Sequence, residues 1–91
     1  MNITDAWFSK YEQLQIDSRV LIEAAIELRK LNRPQAKEKL QSASALIHQQ
    51  QFMLSELMAA HPDEDLTELS EMHRFTTENL RMVNDKINAQ P

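Results

Sequence analysis

The chain has 91 residues, a net charge of −4 and neither cysteine nor glycine. Its length is that of one domain with a small core, so we expect residues 1–91 to form a single helical domain. The missing cysteines exclude disulfides and thiolate chemistry. The missing glycines exclude phosphate-binding loops and argue against a β-sheet fold, because tight turns usually need glycine. The acidic balance without a basic stripe argues against nucleic-acid binding.

The first ten residues include Asp5 and lack an apolar run, so no signal peptide is expected there. No apolar stretch of the chain approaches the length that a bilayer requires. We therefore expect a cytoplasmic protein that does not insert into a membrane.

Helix 1 is predicted over residues 5–31, with Thr4 or Asp5 as its N-cap. Its apolar side chains recur at alternating intervals of four and three residues, the heptad spacing of helices that pack side by side. Phe8 and Ile22 widen this apolar stripe on one side. The seam consists of Trp7, Tyr11, Leu14, Ser18, Leu21, Ala25 and Leu28.

Pro34 and Pro62 lie where new helices should start, because proline is tolerated in the first helical turn and not in a helix interior. Helix 2 is therefore predicted over residues 34–60. Its seam consists of Ala36, Leu40, Ala43, Ile47, Gln50, Leu54 and Leu57.

Helix 3 is predicted over residues 65–88, with Asp65 and Glu68 forming a capping box. Its seam is flanked by the apolar residues Met72, Phe75 and Met82. The seam itself consists of Leu66, Leu69, His73, Thr76, Leu80, Val83 and Ile87.

Three long helices with heptad seams and short connections predict an all-α fold: an antiparallel up-down-up three-helix bundle with coiled-coil-like packing. Three seam positions, Ser18, Gln50 and His73, are polar. The pairing of the helices favours a buried contact between Gln50 and His73 that fixes their register. The alternatives for His73 are a place at the edge of the seam, where it reaches water, or a functional role.

Residues 40–55 contain no Asp, Glu, Lys or Arg, although such residues make up 26% of the chain. One interpretation is that neighbouring helices flank this part of helix 2 on two sides, so that it needs few charges. The other is an exposed groove or dimer face, because interface centres are depleted of charge. The candidate face consists of Leu46, Gln49, Phe52 and Met53.

Trp7, Phe8 and Tyr11 place three of the five aromatic side chains in the first turns of helix 1. They are interpreted as a core plug at one end of the bundle, closed by Leu57, Met58 and Leu66. The alternative is an exposed anchor for a partner, since Trp and Tyr are favoured at interface hot spots. Trp7 and Phe8 are therefore also candidate partner-binding residues.

No catalytic, cofactor-binding or metal-binding constellation is predicted. The three histidines are far apart in sequence and no cysteine is available as a ligand. His48 could suggest a phosphotransfer domain, but Gln49, Gln50 and Gln51 follow it where such domains usually place Lys and Gly. An enzyme is therefore not expected, and a small helical enzyme or phosphotransfer domain stays a remote alternative.

Residues 7–25 read WFSKYEQLQIDSRVLIEAA and are followed by a brief break and a second long helix. Over residues 7–60 this short acidic chain resembles the small all-helical chaperones of bacterial flagellar and type III secretion export, particularly the FliT-like group. It differs from that group in its Asn32-Arg33-Pro34 break, where the group tends to show a Gly-Asp-Trp-like turn, and in a shorter C-terminal part. The resemblance implies that an amphipathic helix of an export substrate or regulator binds between helices, and it assigns no functional residue.

The expected function is accordingly that of a non-enzymatic protein-binding module, a chaperone, adaptor or antiactivator that engages a partner helix through the charge-poor face of helix 2. The alternative is a structural subunit that self-associates through helix 2 as a homodimer or higher oligomer.

Overall fold

Three α-helices make up the fold in a computed structural model that describes residues 3–89. Helix α1 spans Asp5–Leu28, α2 spans Arg33–Ala60 and α3 spans Thr67–Asn88. The central helix α2 packs against both α1 and α3, which confirms the predicted three-helix bundle. No helix within residues 3–89 combines the length and the hydropathy needed to cross a bilayer.

Side-chain caps define where α1 and α2 begin. The Thr4 hydroxyl accepts a hydrogen bond from the Trp7 backbone N–H at 3.2 Å, so Thr4, and not Asp5, is the N-cap of α1. Asn32 has extended backbone angles and its side chain accepts from the Gln35 N–H at 3.1 Å. Helix 1 was predicted to reach residue 31, but α1 ends at Leu28 and residues 29–31 form a turn that leads to Asn32, the cap of α2.

The predicted capping box at the start of helix 3 is also wrong. The Asp65 carboxylate accepts hydrogen bonds from the backbone N–H and the hydroxyl of Thr67, at 3.0 and 2.6 Å. This local turn holds residues 65 and 66 outside the helix, and α3 begins at Thr67 after Leu66, which makes no side-chain cap. Those two hydrogen bonds lower the pKa of Asp65 from its ordinary value.

The buried apolar side chains follow the predicted seams and form two clusters along the bundle. The cluster nearer the α1–α2 connection contains Ala25, Ala36, Leu40, Ile47, Leu80 and Val83. The cluster at the opposite end contains Tyr11, Leu14, Met53, Leu54 and Leu69, with Trp7, Leu57, Met58 and Leu66 packed against it. The predicted closure of the Trp7 end by Leu57, Met58 and Leu66 is therefore confirmed.

A polar layer lies between the two clusters. The Gln50 side chain is buried and donates a hydrogen bond from Nε2 to the Tyr11 carbonyl oxygen at 3.1 Å. Buried Ser18 and Thr76 instead donate to carbonyl groups within their own helices. Within residues 3–89 no hydrogen bond joins Gln50 to His73, which is half-buried. The hydrogen bond of the buried Gln50 side chain is therefore made to α1, and not to His73 as predicted.

The bundle is flattened and open on one side. Its Cα atoms extend over 49 × 22 × 14 Å, and α1 and α3 hardly approach each other at the backbone. Helices in full contact lie about 8–10 Å apart, so the two outer helices leave a gap that side chains only partly fill.

Both connections are built without left-handed backbone, since no residue from 3 to 89 has a positive φ. Helix α1 ends with a tightened turn in which the Leu31 N–H donates to the Leu28 carbonyl at 2.9 Å. Helix α2 ends in the same way, with the His61 N–H donating to the Met58 carbonyl at 3.2 Å. These bonds between residues three apart satisfy helix-end carbonyls without the glycine that commonly ends a helix.

Candidate protein-binding groove

Helix α1 carries a second row of residues beside its core seam, on the side that faces α3. Gln15 lines a cavity together with α3 residues, and so does Ile26 further along the helix. Positions separated alternately by four and three residues share one side of a helix. The α1 row therefore consists of Phe8, Glu12, Gln15, Arg19, Ile22 and Ile26.

Helix α3 presents a matching row towards α1. Phe75 and Asn79 border the first of these cavities and Lys86 borders the second. The row has the same alternating spacing. It consists of Glu68, Met72, Phe75, Asn79, Met82 and Lys86. We call the space between the two rows the α1–α3 groove.

Two cavities mark the floor of the groove. The larger one, of about 240 Å³, lies over the polar layer and is lined by Tyr11, Gln15, Gln50, Met72, Phe75, Thr76 and Asn79. The smaller one, of about 60 Å³, lies towards the α1–α2 connection and is lined by Ala25, Ile26, Arg29, Leu40, Lys86 and Ala89.

The rim of the groove carries exposed apolar side chains among its polar ones. The exposed fractions of Phe8, Ile26, Phe75 and Met82 are 43%, 52%, 62% and 44%. These are half of the large apolar side chains that are exposed within residues 3–89. The other four, Ile16, Val20, Leu31 and Phe52, lie outside the two rows. Exposed large apolar side chains gathered along one groove and rimmed by polar residues can mark a site where another molecule docks.

Three aromatic side chains pack together at one end of the groove. The Trp7 ring stacks on Tyr11 with centroids 5.3 Å apart and planes 9° apart. The Phe8 ring meets Trp7 edge to face at 5.5 Å and 89°. Burial raises the pKa of the Tyr11 hydroxyl above its ordinary value. The cluster is thus divided between core and surface, because Tyr11 is buried and Phe8 is exposed on the rim.

The six predicted partner-binding residues do not form one surface. Met53 is only 9% exposed and belongs to the core cluster against which Leu46 and Trp7 pack. Trp7 and Met53 share a shallow depression between α1 and α2 with Lys10, Glu56, Leu57 and Ala60. Gln49 and Phe52 are exposed on α2, and Phe8 belongs to the α1–α3 groove.

The charge-free stretch of α2 has a covered side and an open side. Its seam residues are buried between α1 and α3, as the first interpretation from the sequence required. Its outer side is exposed, and Phe52 is 64% accessible there. The exposed residues of this outer side include no Asp, Glu, Lys or Arg; they are Gln41, Ser42, Ala45, His48, Gln49, Phe52 and Ser55.

The described residues show no group of three or more His, Asp or Glu side chains that could hold a metal ion. Comparison with known proteins gave no match, whether to a protein-family model, to a curated protein or to a solved structure.

Proposed function

We propose that the protein is a non-enzymatic binding module that holds an amphipathic helix of another protein in the α1–α3 groove. The observation that carries this proposal is the exposed apolar rim formed by Phe8 and Ile26 on one side and Phe75 and Met82 on the other. Helices α1 and α3 flank α2 and both run antiparallel to it. A fourth helix between α1 and α3 would cover this rim and complete a four-helix bundle. The groove therefore replaces the face of helix 2 as the surface that we propose for a partner helix.

The helical walls of the groove suit a partner helix rather than an extended peptide. Its two walls are themselves helices, so side chains spaced three and four residues apart on a partner helix can pack between theirs. Residues 3–89 contain no strand, so the walls offer no unpaired strand edge to which an extended backbone could bind. A chaperone, adaptor or antiactivator in the cytoplasm is the form of this function that the resemblance to flagellar and type III export chaperones suggests.

Two exposed phenylalanines allow a matched test. Phe75 lies on the groove rim and Phe52 on the outer side of α2, and their exposed fractions are 62% and 64%. The probe is a fluorescein-labelled 20-residue designed amphipathic helix with leucines at heptad spacing and mixed Glu and Lys elsewhere. We expect Phe75→Ala to weaken its binding by about tenfold, the effect of losing one interface anchor. Phe52→Ala should change the affinity by less than about twofold.

Thermal melts of both variants control for folding. Because both rings are largely exposed, neither substitution should change stability by more than about 0.5 kcal/mol. Equal affinity of the wild type and the Phe75→Ala variant for the peptide would contradict the proposed groove.

Self-association through the outer side of α2 is the second candidate function. The observation that favours it is the exposed charge-free strip around Phe52, which would lose little hydration on contact with a second copy. Sedimentation equilibrium tests it: a dimer that Phe52→Glu dissociates and Phe75→Glu leaves intact would support it. A monomer at all concentrations would exclude it.

A further inference from the structure

From the charges along the groove, we infer that it selects its partner helix by polarity: the bound helix has an acidic N-terminal half and a basic C-terminal half, and it runs antiparallel to α1 and α3. This inference rests on the proposed function, since it describes the partner of the same groove. It depends on the charged members of the two rows and on the direction of the helices beside them.

The end of the groove near the helix α1 N-terminus is acidic. Glu12 belongs to the α1 row and Glu68 to the α3 row, and both side chains are exposed. Exposed Glu71 lies one turn from Phe75 on α3. Residues 5–17 and 47–75, which form this half of the bundle, carry nine acidic and two basic side chains. A cationic segment of a partner is therefore attracted to this end.

The opposite end of the groove is basic. Arg19 belongs to the α1 row, and Arg29 and Lys86 line the smaller cavity. Residues 18–46 and 76–89, which form this half, carry eight basic and five acidic side chains. The two halves thus have opposite net charge along a molecule 49 Å long. That separation exceeds the Debye length of about 8 Å at physiological ionic strength, so each end acts locally on the part of a helix nearest to it.

The direction of the partner follows from two independent considerations. Helices α1 and α3 run parallel to each other, from the acidic end to the basic end. A fourth helix in an antiparallel bundle runs the other way, with its N-terminus over the basic end. That end attracts acidic residues, and acidic residues near an N-terminus also stabilise the partner helix through its own dipole. Bundle geometry and helix electrostatics therefore require the same order of charges.

Two designed peptides of 20 residues test the inference. They share composition, net charge and heptad leucines, but one has glutamates in its first half and lysines in its second, and the other has the reverse order. We expect the acid-first peptide to bind about tenfold more tightly in 20 mM salt, because the base-first peptide can make the same rim pairs only by running parallel to α1 and α3, with basic residues at its own N-terminus against the helix dipole. The ratio should fall to below about twofold in 1 M salt, where exposed pairs are screened.

Charge-removing variants locate the origin of the preference. In the double variant Glu12→Gln, Glu68→Gln the preference should fall from about tenfold to below about threefold, since the acidic end has lost both row carboxylates. Glu56→Gln, Asp63→Asn is the matched control, because it removes two exposed carboxylates from the same half of the bundle that lie outside both rows. The control should keep the full preference for the acid-first peptide.

The possible results separate this inference from the proposed function. If both peptides bind equally and Phe75→Ala weakens both, the groove binds helices and the polarity is refuted. If neither peptide binds, or if Phe75→Ala affects neither, the proposed function and the inference both fail. A preference for the base-first peptide in low salt would overturn the inferred direction while leaving the groove in place.

Discussion

The buried glutamine of α2 gives the sharpest test of how the bundle is held together. Gln50 is only 3% exposed, and its amide donates to the Tyr11 carbonyl at 3.1 Å. Because Tyr11 lies inside α1, its carbonyl also accepts the helical hydrogen bond from residue 15 and is not left unpaired when Gln50 is replaced. Gln50→Leu therefore removes one neutral hydrogen bond, with a net value of about 1 kcal/mol.

The leucine in exchange buries an apolar side chain of nearly the same volume, which contributes about 1.5–3 kcal/mol. We expect the free energy of unfolding to rise by about 1 kcal/mol, which in a domain of this size raises Tm by about 4–8 °C. Gln50→Ala loses the hydrogen bond and leaves a cavity, so it should lower the free energy of unfolding by about 2–3 kcal/mol.

Urea unfolding followed by circular dichroism measures both variants. A loss of more than about 1 kcal/mol in Gln50→Leu, with an unchanged m-value, would refute this reasoning and show that the Gln50 hydrogen bond contributes more than typical neutral ones. Sedimentation velocity of the same variant tests the other role of the polar layer. If Gln50 fixes the register of α1 and α2, the leucine variant should be more heterogeneous in assembly than the wild type.

Leu54→Ala should destabilise the fold by about 2–5 kcal/mol in urea unfolding, because the side chain is fully buried. Phe52→Ala, two positions earlier, should change stability by less than about 0.5 kcal/mol. Similar losses in the two variants would contradict the described burial of α2. Tyr11 is the only tyrosine, so absorbance at 295 nm follows its ionisation alone, and its apparent pKa should exceed 10 when folded and return to about 10 in guanidinium. Since burial raises that pKa, the contribution of Tyr11 to stability is present below pH 10 and is lost as the pH rises above it. Carboxyl NMR should place the pKa of Asp65 below its usual value of 3.8, and the contribution of Asp65 to folding stability should be lost as acid protonates it. Thr67→Val should move this pKa back up. An unchanged pKa in that variant would contradict the hydrogen bond from the Thr67 hydroxyl.

Much of the fold was predictable because it depends on spacing. The heptad positions of all three helices are the residues that the structure buries or half-buries, since the 3.6-residue period places such positions on one side of a helix. The predicted helix ends were less accurate where side chains form hydrogen bonds with nearby backbone N–H groups. Asn32 and Asp65 each bind a nearby N–H group, and the pattern of apolar residues does not reveal which cap prevails.

The groove was missed although its signal was present in the sequence. Ile22, Phe75 and Met82 were recognised as flanking apolar residues and were treated as a widening of the core stripes. A stripe that extends to one side can mean deeper burial or an exposed wall, and only the separation of α1 from α3 distinguishes the two. The Gln50–His73 pairing failed for a related reason, because spacing along α2 does not tell which neighbouring helix a given side chain approaches.

The turns without left-handed backbone bear on how the proposed groove would bind a helix. Proline near the start of α2 and the absence of glycine restrict the conformations open to both connections, so the outer helices have few backbone pivots about which to swing. The width of the groove is then already set before a partner arrives, and little conformational entropy remains to be lost on contact. If the groove binds a partner helix as proposed, the cost of ordering would fall mainly on the partner, which can be unfolded until it binds.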